Sequence, residues 1–243
     1  MEPLDDAKFS GTKEVAEHLT IEVSNLQPWI DEFVPGAGKI NSIEQFKGGQ
    51  SNPTYKIVTE SKNLVLRRKP PGKLLPSAHA VDREYKVITA LYQTDVPVPK
   101  TYGLCEDDEI AGTAFFVMDF LDGDLFWNPM IPSLSNQDRT EIYQNKNKTL
   151  ALLHDVDYKK IGLEDYGKPG NYVARQVARW SKQYRASETD DIEAMNNLID
   201  WLPKNIPDDD ETSIVHGDYR LDNMILKNNQ VMGILDWELS TLG

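Results

Sequence analysis

The sequence predicts an α+β fold in which a small, mainly β lobe carrying one helix is followed by a larger, mainly α lobe. Short β-rich runs separated by turn residues dominate residues 40–120, whereas apolar positions recur at helical spacing after Pro132. Strand signals return only near the end, in "SIVHGD" and "MILKNNQVMGILDW". We therefore expect an N-terminal helical extension over 1–39, a β-rich lobe over 40–120 and an α-rich lobe over 121–243.

The β-rich lobe contains three clear strand signals, "TYKIVTE", "LVLRRK" and "AFFVMDFL". The turn-forming stretch "ESKN" between the first two predicts a hairpin. Between the second and third, "SAHAVDREYKVITALYQT" has apolar residues at helical spacing, with Ser77 as the expected N-cap. Pro97 and Pro99 end this helical region.

The α-rich lobe has three helical segments followed by a short hairpin. Ser135 is placed to cap a helix through "DRTEIYQNKNKTLALLHDV", and "NYVARQVARWSKQYRA" and "DIEAMNNLIDWL" repeat the helical pattern. Two asparagines, at 228 and 229, form the expected hairpin turn. Trp180 and Trp201 lie on the helical segments, where large aromatic side chains most simply indicate core packing.

Composition excludes several classes of protein. With 40% hydrophobic and 27% charged residues over 243 positions, the chain is typical of an ordinary globular protein. A formal net charge of -13 argues against a nucleic-acid partner, and no apolar run approaches the roughly 18 residues of a membrane span. Cys105 is the single cysteine, and the acidic N-terminus has no apolar signal segment. These features predict a cytoplasmic protein without membrane contact.

The most informative stretch is "HGDYRLDNMI", residues 216–225. His216, Asp218 and Asn223 fit the pattern H-x-D-x-x-x-x-N, and Asp236 follows Asn223 by 13 residues at the end of the apolar run "MGIL". Taken alone, such a cluster also suits a solvated turn, since Asp, Asn and Gly are ordinary turn residues. Protein-kinase catalytic loops share the interval from Asp to Asn and the later metal-binding Asp.

Four motifs occur in order and resemble one family. "GGQSNPTYKI", "LVLRRKPPGKLLPSAHAVDREYKV", "HGDYRLDNMI" and "ILDWELSTLG" are similar to the aminoglycoside phosphotransferase family. The likeness is greatest to the phosphotransferase domain associated with acyl-CoA dehydrogenase family members 10 and 11, and it covers roughly residues 40–243. It implies a bilobal protein-kinase-like fold, with a small, mainly antiparallel β N-lobe and a larger, mainly α C-lobe.

The resemblance implies a phosphotransferase that moves the γ-phosphate of ATP to a substrate hydroxyl. In that role Asp218 receives the hydroxyl proton, and Arg220 reaches the transferred phosphate. Asn223 and Asp236 would hold Mg²⁺, which prefers oxygen ligands of this kind. His216 would support the loop through hydrogen bonds. ATP and Mg²⁺ are therefore the expected cofactors.

The segment "KGGQSNPTYKI" is the expected phosphate-covering loop, in which Gly48, Gly49, Ser51 and Asn52 would lie over the ATP phosphates. Two glycines before a strand also suit a plain hairpin turn. The chain has no G-x-x-x-x-G-K-[ST] sequence, so a P-loop enzyme is not expected.

Alternation along "LVLRRK" places Val65 and Arg67 on one face of the strand and Arg68 on the other. By resemblance, Val65 would lie under adenine and Arg67 would replace the usual phosphate-binding lysine, with Glu84 as its partner. A register slip of one residue would favour Arg68, and an exposed hairpin charge is the structural alternative.

The segment "FFVMDFLDGDLF" resembles the strand and hinge that join the lobes, with backbone groups near Asp119 and Phe120 at the adenine edge. The sequence stops seven residues after Asp236, whereas the family continues into further helices. We therefore expect a C-lobe that is C-terminally truncated relative to the family, with the nucleotide and metal ligands present.

Three functions remain open for this sequence. The dehydrogenase-associated subgroup implies that the small-molecule acceptor is a hydroxyacyl-CoA or hydroxy acid, with a CoA thioester as ligand and a functional link to an acyl-CoA dehydrogenase. A net charge of -13 also suits a cationic acceptor such as an aminoglycoside or choline-like alcohol. The third alternative is a nucleotide-binding module without turnover.

Overall fold

The structure is a computed structural model that describes residues 10–48, 52–72, 80–208 and 211–243. Its N-terminal part is one antiparallel sheet of six strands in the spatial order β1-β2-β3-β4-β6-β5. The strands are β1 (Thr12–Lys13), β2 (Ile40–Phe46), β3 (Thr54–Thr59), β4 (Asn63–Arg68), β5 (Thr101–Cys105) and β6 (Phe115–Asp119). The expected antiparallel β lobe is thus confirmed.

The outer face of this sheet is covered by helix α1 (Val23–Phe33), which buries Leu26, Trp29 and Ile30. These side chains pack with the alternate residues of β3 and β4 that point to the same face, including Tyr55 and Leu66. Residues before position 40 therefore supply both a strand and a helix to the six-stranded lobe. The boundary between 39 and 40 as a unit border stays a prediction.

The opposite face of the sheet packs on helix α2 (Val81–Leu91), which follows β4 along the chain. Its expected cap, Ser77, lies outside the described residues. A short helix, α3 (Asp108–Ala111), precedes β6. The core beneath α2 continues into the second lobe, because Val87 and Leu91 belong to the same buried cluster as Ile234 and Trp237. The two lobes thus share an apolar core, which lies behind the space between them, the cleft.

The second lobe contains helices α4 (Asn136–His154), α5 (Tyr172–Ser187) and α6 (Glu193–Trp201). The predicted cap of α4 is confirmed, since the Ser135 hydroxyl accepts from the Asp138 backbone N–H at 3.1 Å. The expectation of core packing for Trp180 and Trp201 is wrong. Each is 56% exposed, and α5 and α6 contain no buried residue. Their amphipathic pattern is real, but within the described residues the apolar side chains on it are at most half-buried.

Two small antiparallel ladders complete the second lobe. They pair β7 (Ile214–Val215) with β10 (Thr241–Leu242), and β8 (Met224–Lys227) with β9 (Gln230–Ile234). The predicted turn between β8 and β9 is confirmed, with Asn228 and Asn229 both at positive φ (51° and 61°). In the described ranges, no helix combines the length and apolar character needed to cross a membrane.

Candidate active site

Residues 216–223 follow strand β7 directly and form a loop at the base of the cleft. His216 is 2% exposed and packs against Trp237, with the ring centroids 4.6 Å apart. Its Nδ1 accepts from the Asp218 backbone N–H at 3.2 Å, which leaves Nε2 as the donor to Leu235 O at 2.9 Å. Burial lowers the pKa of His216, consistent with a neutral ring. His216 therefore fastens the loop to the segment before Asp236.

Both oxygens of the Asp218 carboxylate have a partner. Oδ1 lies 3.1 Å from Arg220 Nε, and Oδ2 accepts from Asn223 Nδ2 at 3.1 Å. The same Asn223 amide also donates to the Asp218 backbone oxygen at 2.9 Å. The Asp218 side chain remains 33% exposed. This gives a carboxylate of fixed orientation that a solute in the cleft can reach.

The β8/β9 hairpin brings Asn223 and Asp236 to the same place. Met224 pairs with Ile234, and the Leu235 N–H donates to Asn223 O at 2.9 Å, so Asp236 emerges beside Asn223. Asp236 has φ 63°, an uncommon conformation for a residue other than glycine. Such conformations are concentrated at functional sites.

Arg67 joins the N-terminal sheet to this hairpin. Its Nε lies 2.7 Å from Glu84 Oε2, and its Nη2 lies 2.5 Å from Asp236 Oδ1 and 3.7 Å from Glu238 Oε2. Burial opposes the charge, but the three carboxylates outweigh it and raise the pKa of Arg67 above its ordinary value. The pairing of Arg67 with Glu84 that the sequence predicted is present, while its contact with phosphate stays a prediction.

Glu84 is 1% exposed and holds two structural elements at once. Its Oε2 faces Arg67, and its Oε1 accepts from the Trp237 backbone N–H at 3.2 Å. Burial raises the pKa of Glu84 to about 7, against the pull of the Arg67 charge in the opposite direction. Helix α2 is thereby connected to the residue that follows Asp236.

Arg68, the alternative to Arg67, points to the other face of the sheet. Its guanidinium lies over the Tyr55 ring at 5.2 Å and donates to Leu19 O at 2.7 Å and to Ala111 O. These are contacts within the outer core, away from Asp236. The two arginines therefore point to opposite faces, as strand alternation predicted, and Arg67, the residue favoured by the family resemblance, is the one beside Asp236.

Of the four expected phosphate-loop residues, Gly49 and Ser51 lie outside the described residues. Gly48 follows the end of β2 and is half-buried. Asn52 is 1% exposed, and its Nδ2 donates to Glu238 Oε2 at 3.1 Å. The segment just before β3 is therefore in contact with the segment that carries Asp236.

Of the expected adenine-side residues, Val65 and Phe120 lie on the cleft face of the sheet, whereas the Asp119 side chain lies on the outer face and accepts from the Tyr102 hydroxyl at 2.6 Å. Val65 is buried in the shared core. Phe120 stacks on Phe46, with ring centroids 6.4 Å apart, and Lys56 Nζ lies 5.0 Å above the Phe120 ring. The Asp119 N–H donates to Lys100 O at 2.8 Å and is thus used within the lobe. Contact of these residues with adenine stays a prediction.

The donor set fits magnesium in type. Asn223 and Asp236 supply an amide and a carboxylate oxygen, and Mg²⁺ in phosphoryl-transfer sites is typically bound by one or two carboxylates together with substrate phosphates. Within the described residues, no group of three or more His, Cys, Asp or Glu side chains is arranged as a metal site. The metal would therefore need phosphate oxygens or water to complete its coordination.

Two site residues were missed by the sequence reasoning. Glu238 contacts Asn52 and Arg67, and Asp222 lies 2.8 Å from Arg220. The available signal was their position, since Glu238 follows Asp236 by two residues and Asp222 directly precedes Asn223.

Comparison with known proteins agrees with this geometry. Residues 42–243 match the phosphotransferase enzyme family. The chain is 49% identical over 236 residues to acyl-CoA dehydrogenase family member 10 of Mus musculus, covering 96% of this chain and 22% of the relative. It is 41% identical over 244 residues to family member 11 of Homo sapiens, covering 96% and 31%. The chain thus spans less than a third of the length of these curated relatives.

Solved structures show the same fold. A crystal structure from Ralstonia eutropha, named provisionally as an aminoglycoside phosphotransferase, has a TM-score of 0.83 and 50% identity over 92% of this chain and 67% of its own. The streptomycin–ATP complex of APH(2")-IIa has a TM-score of 0.61 at 16% identity, covering 92% and 72%. The kinase-like architecture and the family resemblance are both confirmed. The chain belongs to the phosphotransferase enzyme family.

Proposed function

We propose that this chain is an ATP-dependent phosphotransferase that acts on the hydroxyl of a small molecule, in the cytoplasm. The observation that carries the proposal is the convergence of Asp218, Asn223, Asp236 and Arg67 from three separate segments onto one cleft. Two carboxylates, an amide and a buried guanidinium are the groups that phosphoryl transfer requires for positioning and charge stabilisation.

Each group has a proposed role. Asp218 accepts the proton of the attacking hydroxyl, since its carboxylate is both oriented and partly exposed. Arg67 binds phosphate oxygens, and Asn223 with Asp236 holds the magnesium. The metal would neutralise charge on the phosphates when bound. Val65, Phe120 and the backbone near Asp119 form the adenine side, with Gly48, Gly49, Ser51 and Asn52 over the phosphates.

We propose a hydroxyacyl-CoA or a related hydroxy acid as the acceptor. Relatives at 41 to 50% identity are named as acyl-CoA dehydrogenases, which supports a CoA thioester as ligand and a functional link to such an enzyme. A more distant relative, homoserine kinase of Zymomonas mobilis, is 22% identical over 231 residues and is named for a small hydroxylated amino acid.

A cationic acceptor is the second candidate. It is supported by the net charge of -13 and by the fold shared with antibiotic kinases solved with streptomycin and with hygromycin B. Competition of hydroxyacyl-CoAs and of amino sugars for the Mg·ATP-loaded chain separates the two candidates, because only one class should bind selectively.

The decisive experiment measures ATP binding by calorimetry and phosphate transfer from labelled ATP to both acceptor classes. We expect Asp218→Asn to lower transfer by about 10²–10⁴-fold, the usual contribution of a general base. The affinity for Mg·ATP should stay within about twofold of the wild type, because Asp218 is not a proposed metal ligand. Asp236→Ala should remove most of the magnesium dependence of ATP binding.

The control is Asp165→Asn, at an exposed carboxylate that pairs with Lys86. This variant should match the wild type in both assays. Full transfer by Asp218→Asn would remove Asp218 from the role of base. Magnesium-dependent ATP binding with no transfer to either acceptor class would instead favour a nucleotide-binding module without turnover.

A further inference from the structure

Arg220 is held between two carboxylates, of which only Asp218 belongs to the proposed chemistry. Its Nε lies 3.1 Å from Asp218 Oδ1, and its Nη2 lies 2.8 Å from Asp222 Oδ2. The Arg220 side chain is 61% exposed, whereas that of Asp222 is 15% exposed. A solvent-facing arginine is therefore fastened at its tip to a carboxylate that is itself held in the protein.

The Asp222 carboxylate has a rigid support. It belongs to the 3₁₀ turn Leu221–Asn223, whose two other members are 4% and 8% exposed. The turn is further fixed by the Asn223 amide, which donates twice to Asp218. Asp222 thus has a nearly constant position relative to the catalytic carboxylate.

We propose that Asp222 is a positioning residue, which holds the Arg220 guanidinium on the Oδ1 side of Asp218, where the transferred phosphoryl group passes. This inference rests on the proposed function. The Asn223 amide occupies Oδ2 of the Asp218 carboxylate, so the Arg220 guanidinium contacts this carboxylate at Oδ1. Asp222 holds the guanidinium on that side. Phosphoryl transfer depends on charge placed before the reaction, and an arginine that is free to rotate loses that advantage.

The contact between Asp222 and Arg220 is tested first on the ligand-free chain, by NMR of the arginine Nε–H groups. The Arg220 signal, assigned by its loss in Arg220→Lys, should be slowly exchanging in the wild type. It should exchange about fivefold faster in Asp222→Asn, as expected for the loss of a partly exposed ion pair. Asp222→Glu keeps the charge and should restore part of the protection. An unchanged Arg220 signal in Asp222→Asn overturns the proposal.

The consequence is tested with Mg·ADP and aluminium fluoride, which occupies the place of the transferred phosphoryl group. Aluminium fluoride should raise the affinity of the wild type for Mg·ADP, and we expect this increase to be about fivefold smaller in Asp222→Asn. The affinity for Mg·ADP alone should be unchanged. Because Asp222 acts through Arg220, the double variant Arg220→Ala/Asp222→Ala should lose no more than Arg220→Ala alone. Additive losses would overturn the proposal and indicate a separate structural role for Asp222.

The two measurements also separate this inference from the proposed function. Asp165→Asn, which removes an exposed ion pair with Lys86 outside the proposed site, should behave as the wild type in both. If the wild type binds no Mg·ADP, the proposed function fails, whereas the Arg220 signal still decides whether Asp222 holds the arginine. If the wild type binds Mg·ADP but gains nothing from aluminium fluoride, the phosphoryl-side placement of Arg220 is overturned.

Discussion

Glu84 is the residue in which burial and charge compete most directly. It faces Arg67 and the Trp237 N–H, yet burial raises its pKa from 4.5 to about 7. The folded chain therefore keeps a proton on Glu84 between these pH values that the unfolded chain releases. The resulting contribution to stability is complete below about pH 4.5 and is lost as the pH rises through about 7.

Replacing this carboxyl by an amide should remove that pH dependence. We expect the free energy of unfolding of Glu84→Gln, relative to the wild type, to rise by about 2 kcal/mol between pH 5 and pH 8. Urea denaturation at both pH values measures this difference, with the exposed Glu164→Gln as the matched control. Parallel pH profiles for wild type and Glu84→Gln would show that Glu84 is ionised throughout the range.

At the scale of elements, the turn Trp237–Leu239 depends on the glycine before Asp218. Gly217 has φ 86°, and a Cβ at this position would lie 2.5 Å from Leu239 O. The absence of a Cβ at Gly217 thus lets the segment with Asp236 and Glu238 lie against the loop that carries Asp218. Any side chain at 217 would have to move one of the two segments.

Gly217→Ala should therefore cost more stability than the same change at an open glycine. Gly162 has a similar φ of 76°, and a Cβ added there would meet no atom within 4 Å. Gly162→Ala therefore introduces backbone strain without a steric clash. We expect a loss of about 1 kcal/mol for Gly162→Ala and at least about 3 kcal/mol for Gly217→Ala in urea denaturation. Equal losses would mean that the two segments separate without cost.

The elements themselves were largely predictable, because they follow from local sequence. The Ser135 cap, the turn at 228 and 229 and the alternation that turns Arg67 to the cleft all depend on neighbours within a few residues. The contacts of Asp222 and Glu238 were not predictable. Glu238 contacts Asn52 and Arg67, which lie far away in the sequence, and the contact of Asp222 with Arg220 depends on the rotamers of both side chains. The positions of these acidic residues beside Asp236 and Asn223 mark them as candidates but do not identify their partners.

At the scale of the whole molecule, burial is uneven across the second lobe. Trp237 is fully buried in the core shared by both lobes, while Trp180 and Trp201 on α5 and α6 are each 56% exposed. The sequence could not distinguish these cases, since an aromatic residue at helical spacing looks the same whether or not its face is covered. The stability of the second lobe should therefore reside in the core beside the cleft and not in α5 and α6.

Alanine substitutions should separate the three tryptophans. We expect Trp237→Ala to lower the free energy of unfolding by about 3–5 kcal/mol, the usual cost of removing a large buried aromatic side chain. Trp180→Ala and Trp201→Ala should each change it by less than about 1 kcal/mol. Chemical denaturation followed by far-UV circular dichroism measures all three. A large loss for either helical tryptophan would contradict this distribution of stability.

The ion pair between Arg67 and Asp236 has a further consequence for the order of ligand binding. Under the proposed function, ATP that binds without metal encounters Arg67 while its Nη2 is still paired with Asp236. If Asp236 held a magnesium ion, the Arg67 nitrogen would be available to phosphate, and phosphate on Arg67 would in turn leave Asp236 available to the metal. Metal and nucleotide then raise each other's affinity by the same factor, because linkage between two binding events is reciprocal.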